Sequence, residues 1–293
     1  MEFDADIILL AGPTASGKTA AAIELASQVD ATIINTDSMQ VYDALRIISA
    51  RPSQEEEAQA NHQMFGHVPA SQNYSVAAWL NDVKNVLGRE LANQRKIIFA
   101  GGTGLYFNAL VNGISPIPDV NEVLRRKWRE IAAETPDKLH EFLMEKDPQM
   151  AKRLEKGDTQ RILRALEVFD ETGKSLLFWQ SQKGESLLPA DCQVRKLVLM
   201  PERSVLHERI NARFDRMIDD GGIDEVRRLQ AMELPKELPA MKAIGVPQIC
   251  AFLNGDETIE TAIEQAKAAT RQYAKRQSTW FRNSFDEDWK MLR

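Results

Sequence analysis

The stretch Asp6-Ile-Ile-Leu-Leu-Ala-Gly-Pro-Thr-Ala-Ser-Gly-Lys-Thr19 joins a short apolar run to a glycine-rich loop. Residues 6–12 show no alternation of polar and apolar side chains, which is typical of a strand covered on both faces in a parallel sheet. Residues 12–19 fit the pattern G-x-x-x-x-G-K-[ST] of phosphate-binding loops, and an Ala-rich helix is predicted directly after them. The chain is therefore predicted to fold around a parallel sheet with a phosphate site at one strand end.

In such a loop, glycines let several backbone amides and the N-terminus of the next helix converge on one anion. The residues predicted to bind phosphate are Gly12, Pro13, Thr14, Ala15, Ser16, Gly17, Lys18 and Thr19. Lys18 supplies a charge for the terminal phosphate, and Thr19 offers a hydroxyl to Mg²⁺, the expected cofactor. The pattern leaves the ligand open, because ATP and any other diphosphate with Mg²⁺ satisfy the same donors.

Further apolar runs at residues 32–35, 96–100 and 194–200 alternate with helical stretches, which indicates the α/β class. Asp37 is the only acidic residue that ends an early strand. Ligands of open α/β sheets bind at such strand ends, so Asp37 is the first catalytic candidate. The residues alone leave three roles open: a general base beside the phosphate site, a metal ligand, or a helix cap.

After Pro116 and Pro118 the apolar positions take helical spacing. Helices are predicted over residues 120–133, 136–146, 158–171 and 175–182. Asp158 is the expected N-cap of the third helix and Gly173 its C-terminal glycine. The predicted organisation is a catalytic core of residues 1–115 and 186–293 with an inserted all-helical domain at 116–185.

The composition is that of a globular chain: 293 residues, 43% apolar, 27% charged and a net charge of −6. No apolar run is long enough for a membrane helix, so we expect no membrane partner and a cytoplasmic location. Residues 267–293 carry seven Lys and Arg against three Asp and Glu. In the last predicted helix Lys267, Arg271 and Lys275 share the face opposite an apolar stripe. An anion can lie across this face, or the face is simply solvated.

Several segments beyond the loop resemble one family in the right order. These are Asp37-Ser-Met-Gln-Val-Tyr42, Gly101-Gly-Thr-Gly-Leu-Tyr106, Gly113-Ile-Ser-Pro-Ile-Pro118, Gln160-Arg-Ile-Leu-Arg-Ala-Leu-Glu-Val168 and Thr270-Arg-Gln-Tyr-Ala-Lys-Arg-Gln277 with Trp280. With the phosphate loop, they make nearly the whole chain similar to the tRNA dimethylallyltransferase (tRNA isopentenyltransferase) family. The resemblance implies a core like that of P-loop NTPases.

The resemblance also implies the reaction. A dimethylallyl group would pass from dimethylallyl diphosphate to the exocyclic amine of the tRNA adenosine on the 3′ side of the anticodon. The expected partners are therefore dimethylallyl diphosphate and the anticodon stem-loop of tRNA. We expect the protein to be a monomer. An adenine stacked in the loop cannot present its amine to a buried diphosphate, so it must be extruded into the cleft.

Roles follow from the matching positions. Asp37 would accept the amine proton, while Thr103 and Arg125 would bind the diphosphate or its bridging oxygen. The predicted tRNA contacts are Asp37, Ser38, Met39, Gln40, Gln160, Arg161, Arg164 and Lys242. Plain structural readings stay open: a turn hydroxyl for Thr103, a solvated face for Arg125, and pairing of Arg161 and Arg164 with Asp158 or Glu167.

One segment departs from the family. Where the family commonly has Gly-Tyr and a basic residue, this chain has Ala243-Ile-Gly-Val-Pro247, which leaves Lys242 as the predicted contact.

Three other functions fit parts of the sequence: an adenylate isopentenyltransferase acting on free AMP or ATP, a P-loop kinase of a small metabolite, and a non-catalytic RNA-binding module. The helical insertion disfavours the first, because a free nucleotide needs no clamp, and the last leaves the phosphate loop unexplained.

Overall fold

A computed structural model describes residues 5–182 and 184–292, which form two compact units. One unit comprises Met1–Val111 with Leu187–Arg293, and the other comprises Asn112–Ser186. The sequence places the insertion at residues 116–185, so the structural unit begins a few residues earlier.

The first unit contains a six-stranded parallel sheet. Its strands are β1 (Ile7–Ala11), β2 (Ala31–Asn35), β3 (Asn61–Gln63), β4 (Lys96–Gly101), β5 (Val194–Leu199) and β6 (Trp289–Leu292). Their order in the sheet is β3-β2-β4-β1-β5-β6, and every pair is parallel. The predicted runs at 6–12, 32–35, 96–100 and 194–200 correspond to β1, β2, β4 and β5, so the α/β prediction is confirmed. The short edge strands β3 and β6 were not predicted.

The helices follow in chain order. They are α1 (Lys18–Ala26), α2 (Gln54–Glu57), α3 (Val76–Ala92), α4 (Gly104–Asn112), α5 (Glu122–Glu134), α6 (Leu139–Lys146), α7 (Pro148–Ala151), α8 (Thr159–Thr172), α9 (Leu176–Ser181), α10 (Arg203–Asp219), α11 (Gly222–Gln230), α12 (Val246–Leu253) and α13 (Ile259–Ser284). Two short 3₁₀ helices lie at Pro136–Lys138 and Pro239–Lys242. In the described residues, no helix is long and apolar enough to cross a bilayer.

Both faces of β1 are covered, as its uninterrupted apolar sequence predicts. Ile7 and Leu9 pack in a cluster with Trp79 of α3, whereas Ile8 and Leu10 pack in another with Leu25 of α1. Successive side chains of a strand point to opposite faces, so an apolar residue is needed at every position. The central strand is thereby fixed between two helical layers, and the loop that follows it emerges at a defined sheet edge.

The second unit is helical and has a core of its own, centred on Trp128, Leu143 and Ile162. Gly173 ends α8 with a φ of 67°, the left-handed conformation that glycine adopts easily. Asp158 precedes α8 as predicted, but its side chain makes no capping hydrogen bond. It accepts a hydrogen bond from Arg161 instead. The predicted helix 136–146 is divided into a 3₁₀ turn and α6.

Candidate active site

The phosphate loop has the backbone that anion binding requires. It runs from the end of β1 to the start of α1, and Ala15 and Gly17 have φ angles of 63° and 93°. These left-handed residues turn the chain so that consecutive amides face one side. No side chain caps the first turn of α1. The helix N-terminus is therefore open to a negatively charged ligand.

A cavity of about 1120 Å³ opens beside this loop. The predicted site residues that line it are Thr14, Ala15, Gly17, Lys18, Thr19, Asp37, Ser38, Met39, Gln40 and Lys242. Gly12, Pro13 and Ser16 are buried in the loop itself. Predicted phosphate and acceptor residues thus share one cavity of the first unit.

Lys18 carries a positive charge into this cavity at an electrostatic cost. Its Nζ donates a hydrogen bond to the carbonyl of Pro13, 2.9 Å away. The pKa of Lys18 is lowered to about 8, mainly by burial and also by the neighbouring Arg213, although Asp37 acts in the opposite direction. A bound anion would offset this penalty, because its negative charge would lie next to the buried ammonium group.

Arg213 of α10 is a second buried cation, which the sequence analysis did not select. Its guanidinium donates a hydrogen bond to the hydroxyl of Thr14 in the phosphate loop. Burial lowers the pKa of Arg213 to about 10, while Asp37 raises it. Other arginines on the cavity wall are Arg46, Arg51, Arg209, Arg216 and Arg276. The sequence does contain a signal for Arg213. Its spacing from Arg209 and Arg216 places the three arginines on one face of α10.

Asp37 is held directly after β2 by its own turn. Its backbone N–H donates to Asn35 Oδ1 at 2.9 Å, and its Oδ1 accepts from the backbone N–H of Met39 at 2.9 Å. Residues 38–43 form turns and no helix, so the helix-cap alternative does not apply. The carboxylate faces the cavity within electrostatic range of Lys18 and Arg213. Geometry of this kind fits either remaining role, general base or metal ligand.

Thr103 links the end of β4 to the Asp37 turn. Its Oγ1 accepts a hydrogen bond from the backbone N–H of Ser38 at 2.9 Å and lies 3.2 Å from Ser38 Oγ. Tyr273 of α13 lies near Thr103 and lines the cavity. Burial raises the pKa of Tyr273 above its usual range, so the phenol stays protonated. The hydroxyl groups of Thr103 and Ser38 are therefore linked, and Ser38 directly follows Asp37.

A family model described as IPP transferase matches residues 40–284. The chain belongs to the IPP transferase family. It is 51% identical over 286 residues to the tRNA dimethylallyltransferase of Rhizobium johnstonii, covering 97% of this chain and 96% of that protein. It is 48% identical over 285 residues to the tRNA dimethylallyltransferase of Chelativorans sp., covering 97% of each.

Solved structures lead to the same family. A tRNA isopentenylpyrophosphate transferase from Bacillus halodurans matches with a TM-score of 0.69 and 30% identity, over 98% of this chain and 89% of that one. A eukaryotic dimethylallyltransferase acting on tRNA matches with a TM-score of 0.82 and 27% identity, over 98% of this chain and 73% of that one. The resemblance inferred from the ordered motifs, and the P-loop-like core that it implied, are confirmed.

Four predicted residues of this IPP transferase lie in the helical unit. Arg125 on α5 lies 3.8 Å from Glu122, and Arg164 on α8 lies 3.8 Å from Glu167. Arg161 pairs with Asp158 at 3.0 Å on an exposed surface, where an ion pair contributes little. The fourth, Gln160, is exposed at the start of α8. Their roles toward diphosphate and tRNA stay predictions.

Arg125 and Arg164 belong to one basic cluster around the buried carboxyl group of Glu167. Burial raises the pKa of Glu167, and Arg164, Arg125 and Arg129 each lower it, which shows that all three guanidinium groups lie close by. Glu122 pairs with Arg125 and Arg129, so two carboxylates, Glu122 and Glu167, face three arginines and the cluster keeps an excess of positive charge. Both interpretations of Arg125, a diphosphate contact and a solvated face, stay open.

Neither alternative for the face of Lys267, Arg271 and Lys275, a bound anion or a solvated surface, applies at Lys267 itself. Lys267 is buried and pairs with Asp215 Oδ1 at 2.7 Å and with Glu264 Oε1 at 3.1 Å. Arg271 donates to Asn211 Oδ1 at 2.6 Å, whereas Lys275 is exposed. The reason is that α13 packs against α10, whose Asp215 lies beside Lys267, so this face is covered at Lys267 but not at Lys275.

The residues present fit Mg²⁺ as a metal bound jointly with diphosphate. Mg²⁺ is usually held by one or two protein oxygens, retained waters and substrate phosphates. The Thr19 hydroxyl and the Asp37 carboxylate line the same cavity and offer such oxygens. Within residues 5–182 and 184–292, no group of three or more acidic, His or Cys side chains forms a metal cage. This donor set is consistent with substrate-assisted binding.

Proposed function

We propose that this IPP transferase moves a dimethylallyl group from dimethylallyl diphosphate to the exocyclic amine of the tRNA adenosine 3′ to the anticodon, releasing diphosphate. The observation that carries the proposal is that the anion-binding loop and the Asp37 carboxylate line one cavity. A phosphate site alone would suit many ligands. A carboxylate placed next to it, with no other acid at an early strand end, suits removal of a proton from a weak nucleophile.

The cavity has more cationic than anionic side chains, and the excess cations are available to bind the donor. The loop amides, Lys18 and Arg213 surround the diphosphate, whose negative charge grows as the allylic carbon departs. Donors aimed at the atom where charge develops stabilise the transition state more than the ground state. Mg²⁺, held by the Thr19 hydroxyl and diphosphate oxygens, would supply further neutralisation of that charge.

The transfer step forms one bond and breaks one. The exocyclic nitrogen attacks the allylic carbon next to the oxygen of the donor, and the electron pair of the carbon–oxygen bond stays on the diphosphate. Asp37 takes the proton that the amine loses. Thr103 donates its hydroxyl hydrogen to Ser38 Oγ at 3.2 Å, and it would turn this hydrogen to the bridging oxygen when the donor binds.

Contacts with the acceptor account for the remaining predicted residues other than Arg125, whose predicted partner is the diphosphate. Met39, Gln40 and Lys242 line the cavity beyond Asp37, where an extruded adenine and its neighbours would lie. In the helical unit, Arg161, Arg164 and Gln160 would contact the anticodon stem. Because the acceptor is tRNA, we place the reaction in the cytoplasm, and we propose that one chain suffices.

A transfer assay tests the proposal. The protein is incubated with Mg²⁺ and radiolabelled dimethylallyl diphosphate, in parallel with unmodified tRNA that has an adenosine-rich anticodon loop, with AMP, and without acceptor. We expect label in tRNA only. Label in AMP would show that the acceptor is a free nucleotide and not tRNA. Absence of transfer to every acceptor would refute dimethylallyl diphosphate as the donor. Nuclease digestion of the labelled tRNA identifies the modified nucleotide.

A further inference from the structure

One buried glutamine connects the phosphate loop to the turn that precedes Thr103. Gln277 on α13 is 6% exposed and uses both ends of its amide group. Its Oε1 accepts a hydrogen bond from the backbone N–H of Thr14 at 2.9 Å, and its Nε2 donates to the carbonyl of Gly102 at 2.8 Å. Residues 14 and 102 belong to loops that follow different strands, so a single side chain holds these loops together.

Each of these loops carries one half of the proposed chemistry. Thr14 belongs to the phosphate loop, and its hydroxyl is also bound by Arg213. Gly102 precedes Thr103, whose side chain bonds Ser38. A Cβ atom at Gly102 would overlap Gln277 Nε2 and would lie 3.2 Å from Asp37 Oδ2. The Gln277 amide group and the Asp37 carboxylate therefore pack against the same glycine.

The geometry points to Gln277 as a positioning residue that sets the distance between the bound diphosphate and the Asp37–Thr103 side of the cavity. This inference rests on the proposed function. Transfer requires the amine, the allylic carbon and the leaving oxygen to align, and a displacement of about 1 Å can lower a rate roughly 100-fold. Gln277 touches neither reactant in this scheme, because both of its polar atoms are occupied by backbone groups.

Hydrogen-bond direction makes the inference specific to an amide. The Gly102 carbonyl needs a donor and the Thr14 N–H needs an acceptor, and only a side chain with both can serve them. Gln277→Met keeps the length and removes both bonds. Gln277→Glu keeps the acceptor but, when ionised, sets a carboxylate oxygen against the Gly102 carbonyl. When protonated, the introduced carboxyl group can donate again.

The test compares these two variants with Gln272→Met and Gln272→Glu, which change an exposed glutamine on the same helix. Steady-state transfer to tRNA and thermal unfolding are measured for each protein. We expect Gln277→Met to lower kcat about 10- to 100-fold, with a smaller change in the KM for the donor. The Gln272 variants should keep the parent kcat. A Gln277→Met variant with a kcat within about twofold of the parent would overturn the inference.

The pH profile of Gln277→Glu separates positioning from a merely structural role. Burial should raise the pKa of the introduced carboxyl group, so that it protonates in the accessible range. The charged or titratable groups on the elements packed against it are Asp37 beside Gly102, Arg213 on Thr14, Lys18 of the phosphate loop, and Tyr273 and Arg276 of its own helix. All of them are also present in the parent. The ratio of variant to parent kcat should therefore rise at least about fivefold from pH 8.5 to pH 6.

A ratio that stays constant over this range would show that the donor to Gly102 is not what matters, and would overturn the inference. This measurement also serves if Gln277→Met fails to fold, since Gln277→Glu is nearly isosteric with the parent. Failure of the proposed function is distinguishable, because the parent protein would then transfer no label at all.

Discussion

Donor binding should weaken as Lys18 loses its proton. The pKa of Lys18 is lowered to about 8 by burial and by Arg213. A bound diphosphate attracts the proton, so the pKa rises in the complex. Binding is therefore strongest below pH 8 and weakens as the pH rises through that value. If only the ammonium form binds, the Kd rises about 30-fold between pH 7 and pH 9.5, equivalent to about 2 kcal/mol.

The assay is calorimetric titration of the protein with a non-reactive thiolo analogue of dimethylallyl diphosphate in the presence of Mg²⁺. Lys18→Arg is the control, because a guanidinium stays charged across this range. Dividing the parent Kd by the Lys18→Arg Kd at each pH removes the ionisation of the analogue and of Asp37 and Arg213. This ratio should rise about 30-fold from pH 7 to pH 9.5. A ratio constant within twofold would refute the reasoning, since Lys18 would then keep its proton in the free protein.

Three further changes probe other parts of the chain. Asp37→Asn should lower kcat about 100- to 10,000-fold while the Kd of the donor analogue changes little; lost analogue binding with surviving transfer would make Asp37 a metal ligand. Glu225 accepts the backbone N–H groups of residues 46–48, each at 2.8 Å. Glu225→Gln should therefore cost about 1.5–3 kcal/mol in denaturant unfolding, whereas the exposed Asp224→Asn should cost under about 0.5, and equal losses would contradict this. Arg161→Ala should reduce the salt dependence of tRNA binding by about one phosphate contact, and an unchanged slope argues against contact with the stem.

The sequence is sufficient for the phosphate loop because every determinant there is local. The apolar run, the glycines and Lys18 lie within fourteen consecutive residues, and β1, the loop and α1 follow in that order. Asp37 was likewise found from its place at a strand end. Even here one detail was hidden, since Ala15 adopts a left-handed φ that its side chain does not favour.

The other side of the cavity was not predictable in the same way. Arg213, Tyr273 and Gln277 reach the phosphate loop and the Thr103 turn from helices about 170 to 260 residues away in sequence. Helical periodicity indicates which positions face a neighbour, but not which neighbour they face. Lys267 shows the consequence: its spacing indicated an exposed cation, and its burial became intelligible only with Asp215 of α10 beside it.

The charges of the cavity suggest that the site is built for its complex and not for the free protein. Lys18 and Arg213 both have lowered pKa values, and Asp37 is the carboxylate that opposes both shifts. Burying such charges without sufficient counterions costs stability, and a fold selected for stability alone would replace them with apolar side chains. A diphosphate with Mg²⁺ would relieve the cost, whereas the Asp37 carboxylate would stay available for the amine proton. The same imbalance that weakens the free protein thus provides part of the donor affinity.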